Sequence, residues 1–271
     1  MATNPNISTE LQAYEALHWL TEIGVDMAVE ETPQTPEIRI VVSEPAPITS
    51  APMSVSAPTA GLSEAIGQAR ALADAATSLS ELYAAIKGFD GCAIKKTATN
   101  TVIYEGIAES RLMFIGEAPG ADEDKAGVPF CGVSGQLLDK MLGFIGLNRK
   151  ENFYISNTLF WRPPGNRQPT TEELEICRPF VEKHIALVNP HTLVLVGGTA
   201  TKALLNSTTG ITRLRGQVFS YKNGYIDKEV PVHVVYHPSY LLRQPSAKKQ
   251  AWADLLQLKQ ALKAVKHKLT H

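Results

Sequence analysis

The chain has 271 residues, 44% of them hydrophobic, enough for one sizeable α/β core with an appendage. Its formal net charge is −1; no apolar run is long enough to span a membrane, and the amino terminus lacks the charged-then-apolar layout of a secretory signal, so a cytoplasmic protein is expected. Three cysteines, at 92, 131 and 177, form no CxxC pair, which argues against a disulfide framework and a zinc ribbon.

Charge is unevenly spread. Residues 1–60 carry eight acidic residues and a single basic one, Arg39, whereas the remaining 211 residues hold 25 basic and 19 acidic ones. A mildly cationic body with an acidic tail suits a weakly held polyanion, as well as many ordinary enzymes.

In chain order, residues 10–31 show helical spacing, with Ala13, Ala16, Leu17, Leu20, Ile23 and Met27 on one face. The helix reads either as a poorly docked appendage or as a docking element for a partner protein. Residues 32–60 contain six prolines among Ser, Thr and Ala and read as an extended, disordered linker. The remainder, 61–271, is expected to form one domain. Ser63–Phe89 is helical, with Ser78 and Ser80 as candidate N-caps, and strands are expected at Arg111–Ile115, Phe153–Ser156, Thr192–Val196 and His233–Tyr236. Between them lie helices at Gly135–Ile145, Thr171–Val188 and Thr199–Leu205, with Thr170 and Glu173 at capping-box spacing. Ala247–His267 closes the chain as a basic amphipathic helix. Such strand–helix alternation implies a parallel sheet covered on both faces.

Chemistry concentrates where strands end. Gly116-Glu-Ala-Pro-Gly120 follows the first apolar strand and brings backbone N–H groups and a carboxylate to the sheet rim where open α/β sheets bind ligands. Asn157 ends the next strand and leads into Arg162-Pro-Pro-Gly-Asn-Arg167, and His237-Pro-Ser-Tyr-Leu-Leu242 follows the last. With Phe130, these supply an amide, a ring and an imidazole, a set able to recognise and cleave off a flat heterocycle.

Four ordered blocks, namely Gly116–Gly120, Pro129-Phe130 with Ser134-Gly-Gln-Leu-Leu138, Asn157 with Arg162–Arg167, and His237–Leu242, resemble the family 4 uracil-DNA glycosylases. The resemblance runs from about Phe89 to Leu262. It implies a three-layer sandwich with a central, mostly parallel four-stranded sheet, acting as a monomer on uracil-containing DNA, single- or double-stranded, in the bacterial cytoplasm or nucleoid. Implied too is base excision: water hydrolyses the bond between uracil and deoxyribose and leaves an abasic site.

Each residue makes chemical sense in that role. Phe130 resembles the ring on which a flipped uracil stacks. The Asn157 amide presents a donor beside an acceptor, matching uracil O4 and N3–H and leaving cytosine unpaired. Gly116 and Asn166 complete the expected base pocket. His237 looks like the donor to uracil O2 as the anionic leaving group forms. Glu117 and Glu123, ahead of Asp124, are the candidates for stabilising the sugar cation or holding the water; Ala118 stands where better-known relatives carry an aspartate. Leu241, Leu242 and Arg243 resemble a wedge that fills the gap left by the flipped base. Arg162, Arg167, Lys248 and Lys249 are candidate phosphate contacts.

The family carries a [4Fe–4S] cluster on four cysteines. Cys92 and Cys177 match two of those positions, but Phe89 and Trp161 stand at the other two, and Cys131 lies elsewhere. Two thiolates do not hold a cubane in the usual way, so no cofactor or metal is expected and the two rings read as an apolar plug. The main alternative is a DNA-binding or polymerase-associated module on the same fold with little or no glycosylase activity.

Overall fold

The computed structural model describes residues 60–269, together with His18 and Thr21. Apart from those two residues, the expected helix over 10–31 and the linker over 32–59 lie outside the described residues. His18 meets the Phe144 ring edge-on at 5.6 Å.

The predicted first helical stretch divides at Ser78 into α1 (Ala60–Ala75) and α2 (Leu79–Gly88), because the Ser78 hydroxyl accepts the Glu81 N–H and starts a new helix. The strands follow as β1 (Tyr104–Gly106), β2 (Leu112–Gly116), β3 (Tyr154–Asn157), β4 (Thr192–Val196), β5 (Val218–Tyr221) and β6 (Val230–Val235). They form one sheet in the order β1-β3-β2-β4-β6-β5. The four inner strands are parallel, and β1 and β5 pair antiparallel at the two edges. The sheet therefore has six strands where four were expected. Both additions are short and partly exposed, so neither leaves an apolar run in the sequence.

Strands β2 and β4 are buried along their whole length and send alternate side chains to opposite faces. Met113 and Ile115 join one core, beneath α1, α2 and α5 (Thr171–Val188). Leu112 and Phe114 join the other, beneath α4 (Val133–Gly143) and α9 (Lys248–Leu269). Three layers result. The Thr170–Glu173 capping box forms as its spacing predicts, each side chain bonding the other's backbone N–H. Four shorter helices complete the fold: α3 (Ala121–Ala126), α6 (Gly198–Leu205), α7 (Ile211–Leu214) and α8 (Pro238–Arg243). No helix among the described residues is long and apolar enough to cross a membrane.

Candidate active site

The register of the parallel strands assembles the site. Gly116 of β2 pairs with Asn157 of β3, while β4 and β6 run alongside and end at Val196 and Val235, so four carboxyl ends share one rim. A cleft of about 890 Å³ opens there, lined by Glu117, Phe130, Asn157, Asn166, Arg167, His237 and Arg243 among others. That volume lies at the upper end of the range for small-molecule pockets, roughly 300–1,000 Å³.

At the centre, Gly116 provides room that no side chain would leave. A Cβ there would lie 2.3 Å from Phe130 Cζ and 2.6 Å from Asn157 Oδ1. Asn157 is 2% exposed, and its Oδ1 has no hydrogen-bond partner. Leaving such an acceptor unsatisfied costs about 1–3 kcal/mol. Beside it, Phe130 is buried at φ +53°, a left-handed backbone that costs a bulky residue on the order of 1–2 kcal/mol. An orphaned acceptor and a strained aromatic residue, both against one cleft, are the marks of a ligand site.

His237 caps the amino end of α8, with Pro238 in the first helical position. Its Nδ1 accepts the Ser239 backbone N–H at 3.2 Å, and the Ser239 hydroxyl lies 2.7 Å away. A backbone N–H only donates, so the neutral ring carries its proton on Nε2. Burial, aided by the Arg243 charge, lowers the His237 pKa to about 4. The imidazole is therefore neutral at physiological pH and offers an Nε2–H donor. The Phe130 and His237 rings lie 5.7 Å apart, centre to centre.

The three acidic candidates separate. Glu117 is half-buried on the cleft wall. Glu123 uses both carboxylate oxygens on backbone amides, Gly120 N–H at 3.0 Å and Gly132 N–H at 2.8 Å. It therefore clamps the Gly116–Gly120 loop to the loop carrying Phe130, while lining the cleft itself. Asp124 accepts the N–H groups of Thr99 and Asn100 and fastens a different segment.

The expected DNA contacts also divide. Leu242 is 44% exposed, but Leu241 is fully buried in the core beneath α4 and α9, so only one of the two leucines is available as a wedge. Arg243 and Lys249 are exposed, whereas Lys248 is buried at the start of α9, where desolvation lowers its pKa; it is not the surface phosphate contact expected. Arg162 Nε donates to Asn166 Oδ1 at 2.6 Å, holding the exposed Asn166 at the cleft. Arg167 lines the cleft and makes a two-pronged ion pair with Glu173, 2.9 and 2.5 Å.

Cys131 follows Phe130 at the cleft, whereas Cys92 and Cys177 are not among the cleft-lining residues. Cys92 and Cys177 are fully buried and act on each other, which lowers the pKa of Cys92 and raises that of Cys177. Phe89 and Trp161 are buried in the same core, with ring centres 6.5 Å apart. The Phe180 ring packs edge-on against Phe89 at 5.2 Å, and Trp161 Nε1 donates to Thr101 Oγ1 at 3.0 Å. Two thiols do not fit a four-thiolate cluster, and no group of three or more metal-binding side chains occurs among the described residues.

Sequence reasoning missed two further features. Gly197, Gly198, Thr199 and Lys202, at the start of α6, line the same cleft; a Gly-Gly pair directly after an apolar strand was the signal available. Arg149 lies buried behind Phe130. Its partners come from three separate places in the chain, so no local pattern announces it.

Comparison with known proteins agrees with this geometry. The profile of the Uracil DNA glycosylase superfamily matches residues 103–256. A Type-4 uracil-DNA glycosylase of Archaeoglobus fulgidus is 37% identical over 181 residues, 65% of this chain and 89% of the relative. Another, from Thermotoga maritima, is 39% identical over 162 residues, 59% of this chain and 81% of the relative.

Proposed function

The chain belongs to the uracil DNA glycosylase superfamily, and from that membership and the cleft we propose that it hydrolyses the N-glycosidic bond of deoxyuridine in DNA. One observation carries the choice of base, the partnerless Oδ1 of Asn157. Uracil N3–H is the donor that this acceptor lacks, and uracil O4 accepts from the same amide. Cytosine reverses both groups and leaves the amide unpaired, the kind of mismatch that sites built for hydrogen bonding reject most strongly.

The chemistry then follows from the residues around it. DNA is the substrate, and its uracil leaves the base stack to reach the cleft. Phe130 stacks on it, while Gly116 leaves the space beneath. As the bond from N1 to C1′ breaks, its electron pair stays with uracil and charge builds on O2. The Nε2–H of neutral His237 donates to that oxygen, and an aimed donor is worth about 10²–10³ in rate. Glu117 faces the cationic sugar and takes a proton from the water that bonds to C1′; uracil is protonated in turn. Arg167, Arg243 and Lys249 bind phosphates, and Leu242 occupies the vacated stack.

Loss of two cluster positions to Phe89 and Trp161, and the packing of Phe89 against Trp161 and Phe180, support an enzyme that works without iron.

The test is incubation of the protein with an end-labelled uracil-containing oligonucleotide, without added metal, beside His237→Ala. Alkali-labile breakage at uracil that collapses in the variant is the expected result. Intact DNA that still shifts in a gel with wild-type protein would replace this reading with a binding module. Iron in stoichiometric amount in the same sample would overturn the iron-free assignment.

A further inference from the structure

We propose that Arg149 is a positioning residue for base recognition, holding the Phe130 ring in its stacking orientation. Arg149 sits in the turn between α4 and β3, and its side chain is 10% exposed. One planar guanidinium donates to two consecutive carbonyls, Nη1 to Pro129 O at 3.0 Å and Nη2 to Phe130 O at 2.8 Å. Those carbonyls belong to the two peptide planes that flank the Phe130 Cα. Fixing both planes fixes φ and ψ at that residue, and its φ of +53° is a conformation a phenylalanine does not keep unaided.

The guanidinium is itself anchored from behind. Asp139 Oδ1 accepts from Nε at 3.0 Å and from Nη2 at 2.7 Å, and Glu105 Oε2 accepts from Nη1 at 2.5 Å. Helix α4 closes the other side: a Cβ on Gly135 would lie 1.9 Å from Phe130 O, so the helix backbone lies directly against that carbonyl. A buried ion pair serving stability alone would need Asp139 and Glu105. It would not need the fork onto the two carbonyls of a strained residue at the cleft. Lysine keeps the charge but has no planar fork to span both carbonyls.

The inference rests on uracil excision as the activity, and the experiment separates the two. Single-turnover excision is measured for wild type, Arg149→Lys, Phe130→Ala and the double variant, together with melting temperature and affinity for uracil-containing DNA. Arg149→Lys should lose about tenfold to a hundredfold in rate, as misplacement by an ångström does, with DNA affinity nearly unchanged. In the Phe130→Ala background the same substitution should change the rate by less than about twofold, because the ring through which Arg149 acts is gone. An equal loss in both backgrounds, or a folded Arg149→Lys at wild-type rate, would overturn the proposal and leave the excision reading intact. An inactive wild type would overturn both. Should Arg149→Lys fail to fold, Glu105→Gln takes its place; it loosens one anchor and should show a smaller loss that also vanishes without the ring, and no loss would count against the role.

Discussion

The cleft and the aromatic plug are built from similar materials to opposite ends. Each is enclosed by aromatic rings and polar side chains. In the plug, Trp161 Nε1 finds Thr101, the two thiols find each other, and Lys95 donates to the carbonyls of Lys87 and Phe89 at 2.6 and 2.9 Å. In the cleft, Asn157 Oδ1 is left without a partner, Phe130 sits at positive φ, and the His237 pKa is driven to about 4. The plug is closed on itself and supplies stability. The cleft forgoes stability so that groups stand ready for a ligand, a trade expected at functional sites.

Paired truncations should break the comparison cleanly. Asn157→Ala removes the orphaned acceptor, so uracil excision should fall by about 10²–10³-fold. Its melting temperature should be no lower than that of wild type, since the lost acceptor itself cost about 1–3 kcal/mol. Phe89→Ala should do the reverse, costing about 3–5 kcal/mol of stability while excision below its melting point stays near wild type. Thermal melts and single-turnover rates on both variants decide. A destabilised Asn157→Ala with full activity would show that the amide is an ordinary core group.

Titration offers a finer separation. Burial holds the folded His237 pKa at about 4, below the ordinary value near 6.5, so the folded state binds fewer protons than the unfolded chain between those pH values. Stability from this group is complete above about pH 6.5 and is lost as pH falls towards 4, to a total of roughly 3 kcal/mol. His184, buried with its pKa lowered to about 3, acts in the same direction. The difference between wild type and His237→Gln in urea unfolding, measured from pH 7 down to 4, isolates the first. The rate of excision should show no histidine inflection near pH 6.5; one there would mean that the imidazole titrates freely and is not held as a neutral donor.

What the sequence revealed follows the same division. Strands β2 and β4 are legible because burial on both faces forces unbroken apolar runs, whereas edge strands β1 and β5, three and four residues long, leave none. Phe130, Asn157 and His237 are legible because each sits at a fixed place in a recognisable block. Arg149 is not, since it meets Phe130 from nineteen residues away and Glu105 from forty-four. Glu123 shows the same limit: its two oxygens accept the N–H groups of Gly120 and Gly132, and only the folded loops reveal that clamp.

The smallest effect concerns two neighbours that the sequence could not tell apart. Leu241 points into the core beside α4 and α9 and is fully buried, while Leu242 is 44% exposed on the turn after His237. A helix turns about 100° per residue, so adjacent side chains on α8 cannot share a face. Leu241→Ala should therefore cost about 2–5 kcal/mol of stability, as a core truncation does. Leu242→Ala should leave the melting temperature unchanged. It should slow excision from duplex DNA several-fold and from single strands hardly at all, because only a duplex has a stack for the leucine to refill. Equal slowing on both substrates would remove Leu242 from the wedge, and the exposed Arg243 beside it would become the residue to test.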